Sequence, residues 1–236
     1  IGNVEPSTRS VSTALNANLA SLFTGGAPTL TSAEIKEVND AYAKMTSINC
    51  YRNIDEAVRN KTSYAGTIFL DDTYASAYFR KGSLAFPPYG ILASSMEHEF
   101  IHMYQRDVQG KKVDTDKEKR DTGMMEFELA FYQGIIRYIH AGYSWTFKGE
   151  DGDPSYQSLW TSGLTDPSLI PQYEREFQTY VASICANGKP TSIDINEFVK
   201  WSNIFGEYSR GYSGKGYKFG NYDYGTSCIN SLLKLY

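Results

Sequence analysis

Residues 98–102 read His-Glu-Phe-Ile-His, and these types at this spacing can do metal chemistry. On a helix, positions i and i+4 share one face about one turn apart. The imidazoles of His98 and His102 therefore reach a single ion at roughly 2.0–2.1 Å each. Glu99 lies beside the same face, close enough to touch a metal-bound water without displacing it. This is the H-E-x-x-H arrangement of a zinc site with a general base. Neutral imidazoles leave the ion strongly Lewis acidic, zinc brings the pKa of its water toward neutrality, and a carboxylate takes that proton and returns it to a leaving group. The plain alternative is a helix with two hydrogen-bonded structural histidines and a solvated glutamate. The motif takes two of the chain's three histidines and sits among Met96, Phe100, Ile101 and Met103. We read it as a zinc centre with one ion per chain.

Such a motif needs a helix, and residues 91–108 carry the apolar pattern of a buried one. Before it, residues 67–70 read as a strand and residues 77–86 as a hairpin with Lys81-Gly82 at its turn, ended by Pro87, Pro88 and Gly90. Further back, residues 7–23 place Val11, Leu15, Leu19 and Leu22 at helical spacing. Gly25, Gly26 and Pro28 break that pattern, and Thr31 with Glu34 forms a capping box opening a helix through Ile35, Val38, Tyr42 and Met45. A short helix is expected near residues 53–60. After the motif come a charged loop over 109–122, a long helix over 124–140, loops over 142–167, and a helix over 168–187 stopped by Gly188 and Pro190. Asp194 caps a helix through Phe198, Trp201 and Phe205. A Tyr/Gly loop over 206–225 and a short terminal helix complete the chain.

With these elements the sequence resembles the zincin superfamily of metallopeptidases. The resemblance covers residues 64–140. In that family an edge strand precedes the active-site helix and pairs with an extended substrate, and residues Ser83–Phe86 stand in that place. The metzincin branch extends the motif with a glycine and a further ligand, but Gln105 and Val108 occupy those positions here. Gluzincins take a glutamate from a later helix. Residues 126–133, Glu-Phe-Glu-Leu-Ala-Phe-Tyr-Gln, look like the E-x-E-A segment of compact bacterial gluzincins, which implies Glu126 as third ligand. Helix geometry agrees: Glu126, Ala130 and Gln133 share a face, whereas Glu128 points about 200° away. A solvated carboxylate at a helix start is the alternative for Glu126. Thermolysin-like gluzincins place an Asp four residues after the ligand Glu to orient a zinc-bound histidine. Ala130 stands there, so that partner is expected from Asp107, Asp121 or a backbone carbonyl. The resemblance also implies an oxyanion donor after the ligand helix, for which Tyr208, Tyr212 and Tyr217 are candidates; ordinary loop packing is the alternative for each.

The reading is an α+β, zincin-like domain with a small mixed sheet, an active-site helix and a predominantly helical remainder. Residues 1–62 form an N-terminal helical part, 63–141 the catalytic core, and 142–236 a C-terminal helical part, all within one compact domain. The expected activity is zinc-dependent peptidase chemistry on a peptide or protein. A zinc-containing module that binds peptide or glycan through its tyrosines is the rival, since Tyr is abundant, at 19, and suits exposed binding surfaces.

Other features bound the answer. His140 lies about 21 Å along a continuous helix from Glu126 and reads as a C-terminal helix histidine. Asp151-Gly-Asp153 lacks the further ligands of a calcium loop and reads as a turn. Cys50, Cys185 and Cys228 leave at least one free thiol, allow one bridge, and lack zinc-ligand spacing. A net charge of −4 argues against nucleic acid as a partner, and no apolar run spans a bilayer. The start at Ile1 without Met suggests a processed or truncated form, and with the tyrosines it favours an exported bacterial protein.

Overall fold

The structure is a computed structural model that describes residues 13–112, 121–145, 159–220 and 224–236. Val11, the Asp151-Gly-Asp153 turn, most of the charged loop and a short stretch of the Tyr/Gly loop lie outside the described residues. The fold is α+β, with eight α-helices and one three-stranded mixed sheet among the described residues. None of the helices is long and apolar enough to cross a membrane.

Three N-terminal helices come first: α1 (Ala17–Leu22), α2 (Ser32–Ser47) and α3 (Asn49–Lys61). The Thr31/Glu34 capping box is complete at the start of α2, so the exposed amides of its first turn are satisfied by side chains. The third helix is longer than residues 53–60 suggest, because Asn49, Cys50 and Tyr51 already belong to it and the last two face the core.

The sheet follows, as β1 (Ile68–Leu70), β2 (Tyr78–Arg80) and β3 (Ser83–Phe86) in the order β1-β3-β2. Lys81 and Gly82 turn the β2–β3 hairpin with φ of 50° and 77°, the two left-handed residues of a type I′ turn. The expected edge strand is corrected here. Ser83–Phe86 is central, paired parallel to β1 and antiparallel to β2, and β2 is the edge. Burial explains the order. Leu84, Ala85 and Phe86 are all buried, as suits a strand covered on both faces, whereas β2 is half-exposed.

The motif helix is α4 (Ala93–Met103), and residues Tyr104–Val108 continue it as one π-helical turn. The Gln109 amide there bonds the Tyr104 carbonyl at 3.0 Å, the wider spacing of such a turn. Helix α4 is held from behind by α2, where Tyr42 meets Phe100 with ring centres 6.2 Å apart. Next comes α5 (Thr122–His140). It is fixed by α7 (Ile195–Tyr208), through Phe127 against Phe198 and Phe205 at 5.1 and 5.6 Å. It is also fixed by α8 (Ser227–Lys234), where the Tyr132 hydroxyl donates to the Leu232 carbonyl at 3.1 Å. Between α5 and α7, α6 (Ile170–Ile184) packs Phe177 on Phe131. Asp194 caps α7 through the amides of Asn196 and Glu197. One hydrophobic cluster joins residues of all three parts of the chain, from Leu19 to Leu233. All three cysteines are buried and free, and His140 lies in the last turn of α5.

Candidate metal centre

Two helices bring the ligand atoms together. His98 and His102 project from one face of α4, and Glu126 enters from the first turns of α5. His102 Nε2 lies 3.1 Å from His98 Nε2 and 3.3 Å from Glu126 Oε1, and His98 Nε2 lies 3.8 Å from Glu126 Oε2. A tetrahedral ion with ligands at roughly 2.0–2.1 Å keeps its donor atoms about 3.3 Å apart. The three separations bracket that value, so the set could hold a metal ion. It is the one group of three or more metal-ligating residues found among the described residues.

The electrostatics follow from burial and neighbours. Burial opposes charge on both Glu126 and His102, but the pair overcomes it at 3.3 Å. The carboxyl is held below, and the imidazole above, its ordinary range. His98 is left neutral: burial, then the neighbouring His102 charge, push its pKa down to about 4. Glu99 is 5% exposed. Burial pushes its pKa up to about 7, against the pull of His102, the Phe79 backbone amide and Arg106. A carboxylate poised near neutrality suits a general base.

The strand edge supplies that amide. In a hairpin closed by a two-residue turn, Arg80 and Ser83 form the hydrogen-bonded pair, so the next pair, Phe79 and Leu84, is the non-bonded kind. The Leu84 amide accordingly turns to the Thr67 carbonyl of the β1 side at 3.0 Å. Phe79 therefore directs its N–H and C=O toward the free edge of β2. The Arg106 guanidinium lies 4.3 Å from the centre of the Phe79 ring and pairs with Asp107.

These groups line a cleft of about 640 Å³, walled by Ser76–Phe79 on one side and by Met125, Gln133 and Tyr212 on the other. A second hollow of about 440 Å³, floored by Leu129, Trp160 and Phe205, meets it at His98, Glu126 and Tyr212. Both volumes lie in the range of small-ligand sites.

The candidate tyrosines part company. The Tyr212 hydroxyl donates to Glu126 Oε2 at 2.6 Å. Burial, then the Glu126 charge, holds its pKa far above the ordinary phenol range. Tyr217 stands edge-on to Tyr212, with ring centres 5.4 Å apart. Tyr208 packs on Tyr173 and does not line the cleft. Distant packing sets this choice. Phe219 seats in a notch made by two glycines: a Cβ at Gly206 would stand 2.3 Å from its ring, and one at Gly123 2.7 Å from the Lys218 carbonyl. That seat lays the loop across the first turn of α5, with Tyr212 stacked on Phe205 at 5.1 Å.

The partner of the metal-site histidine also differs from expectation. Asp107 is engaged by Arg106 and by the Tyr64 hydroxyl, and Asp121 accepts from the Lys112 amide. His102 Nδ1 instead meets Gln105 Oε1 at 2.8 Å. The available signal was a polar residue three positions after the second histidine of the motif. Glu128 stays out of the cleft, as its helix angle requires, yet it touches Gln105 from beneath at 2.8 Å. Comparisons with protein-family models, with curated proteins and with solved structures found no match.

Proposed function

We propose that this chain is a zinc-dependent hydrolase that cleaves amide bonds in peptides or proteins, of the gluzincin kind. The observation that carries the reading is the convergence of His98, His102 and Glu126 at the floor of a cleft, with Glu99 buried beside them. A structural zinc takes four protein ligands and has no use for a buried carboxylate base at its open side.

Bound in that triad, a zinc ion supplies Lewis acidity: it polarises a carbonyl and brings the pKa of water toward neutrality. The protein does the rest. Glu99 takes the proton of the attacking water and passes it to the leaving nitrogen, changing from base to acid as it does so. The Tyr212 hydroxyl, released from Glu126, is placed to donate toward the oxygen on which charge develops. The outward C=O of Phe79 on β2 offers an extended substrate an acceptor at the sheet edge, while the Phe79 N–H is held by Glu99. Arg106, paired with Asp107, lays its guanidinium against the Phe79 ring and so holds that strand over the cleft.

Cleavage of a fluorescence-quenched peptide library tests this. Wild-type protein loaded with zinc should cleave a subset of peptides. Glu99→Gln should lose about 10²–10⁴ in rate while zinc stays bound. Zinc binding with no cleavage, or cleavage unchanged in Glu99→Gln, would sink the hydrolase reading and favour a binding module.

A further inference from the structure

Behind His102 lies a sealed polar chain that the catalytic reading does not use. Gln105 and Glu128 are wholly buried and Tyr224 nearly so. Gln105 Nε2 donates to the Met125 carbonyl at 2.9 Å and to Glu128 Oε2 at 2.8 Å. The Tyr224 hydroxyl donates to the same Glu128 oxygen. Lys111 then clamps Tyr224, its Nζ donating to the Tyr224 carbonyl at 3.0 Å and lying 4.1 Å from the ring centre.

The chain has a direction. A carboxamide has one donor end and one acceptor end. The Met125 carbonyl can only accept, so the Gln105 nitrogen must face it. The Gln105 oxygen must then face His102 Nδ1, and that nitrogen must carry a hydrogen. The neutral imidazole of His102 therefore carries its hydrogen on Nδ1 and its lone pair on Nε2, pointing at His98 and Glu126. We propose that Gln105, locked in one orientation by the Met125 carbonyl, Glu128 and Tyr224, is a positioning residue that dictates which nitrogen of His102 meets the metal.

The proposal rests on the metal reading above and adds two things to it. Glu128 acquires a role distinct from that of Glu126. Tyr224, just before α8, also becomes part of the metal site, although it is not a ligand. Groups that hold the far nitrogen of a ligand histidine are worth about 10–100-fold in metal affinity.

The experiment is a zinc competition titration against a chromophoric chelator, run alongside thermal melts. Gln105→Leu keeps the bulk and removes both ends of the carboxamide, and its zinc Kd should rise about 10–100-fold. Glu128→Gln keeps an acceptor for Gln105 and Tyr224 and should bind zinc within about threefold of wild type. Tyr224→Phe removes one hydroxyl and tests the chain even if Gln105→Leu fails to fold; its Kd should rise severalfold. Nitrogen-15 NMR of the zinc-loaded protein should show His102 protonated on Nδ1. Residues that merely fill the core would shift the melting temperature and leave Kd alone. Folded Gln105→Leu or Tyr224→Phe protein with wild-type zinc Kd would overturn the proposal and leave the metal reading standing. Wild-type protein that binds no zinc would overturn both.

Discussion

Helix α5 presents a carboxylate to each of two regions, Glu126 to the open cleft and Glu128 to the sealed space behind His102. The two stand two positions apart and both are shielded from water, yet their chemistry diverges. Glu126 faces two imidazoles and a phenol, and these outweigh burial and hold its pKa down at about 2. At Glu128 burial is the largest influence and pushes the pKa up to about 7, against the hydrogen bonds of Tyr224 and Gln105 and the smaller pull of the Lys111 and His102 charges; its Oε1 has no hydrogen-bond partner. Burial alone therefore does not decide what a carboxylate becomes. A charged imidazole in direct contact holds Glu126 ionised, whereas at Glu128 the charges are lesser influences and burial wins.

Four changes sharpen or break this contrast, and the largest is in stability. In chelator-treated protein at pH 5, Glu128→Ala leaves the Tyr224 hydroxyl and Gln105 Nε2 facing a void. It should cost about 3 kcal/mol in urea denaturation. Glu126→Ala, at the wetter cleft, should cost less than about 1 kcal/mol. Equal losses would mean that the two regions do not differ.

The pH dependence comes next. Glu128 has its pKa raised on folding, from 4.5 to about 7. Its contribution is fully present below pH 4.5 and is lost as pH rises through about 7. Between pH 4.5 and pH 8, metal-free wild type should lose on the order of 3 kcal/mol relative to Glu128→Gln. Parallel stability curves for the two proteins would show that Glu128 does not titrate in this range.

On the open side, Tyr212→Phe deletes the 2.6 Å bond to Glu126 and should weaken zinc binding about fivefold, close to 1 kcal/mol. The smallest effect should come from Gly206→Ala. Its Cβ would meet the Phe219 ring at 2.3 Å, so the loop carrying Tyr212 must shift. Zinc affinity should fall about two- to threefold, with the sealed chain around Glu128 unaffected.

How much of this was legible in the sequence depends on range. His98, Glu99 and His102 lie within about one turn, so helix geometry fixes their relation before any fold is known. Glu126 was implied by the likeness of residues 126–133 to a gluzincin segment, with its helix face in agreement. The α+β class and most helices followed from periodicity and caps such as Thr31 and Asp194. The sheet order did not, because hairpin spacing is the same whether β2 or β3 lies inside; the burial of Leu84, Ala85 and Phe86 decides it. Tyr212 could not be told from Tyr208 or Tyr217, since the choice depends on Phe219 meeting two glycines far apart in the chain. Gln105 was legible as a polar residue about one turn after His102, but its role was not, because its partners Met125, Glu128 and Tyr224 are distant in sequence.

The central claim is tested most directly by metal content. Mass spectrometry of protein purified without added zinc, then dialysed against a saturating excess and desalted, should find about one zinc per chain in wild type and in Glu128→Gln. Glu126→Ala and His98→Ala should have none. Wild-type protein without zinc after loading, or Glu126→Ala retaining a full equivalent, would contradict the account.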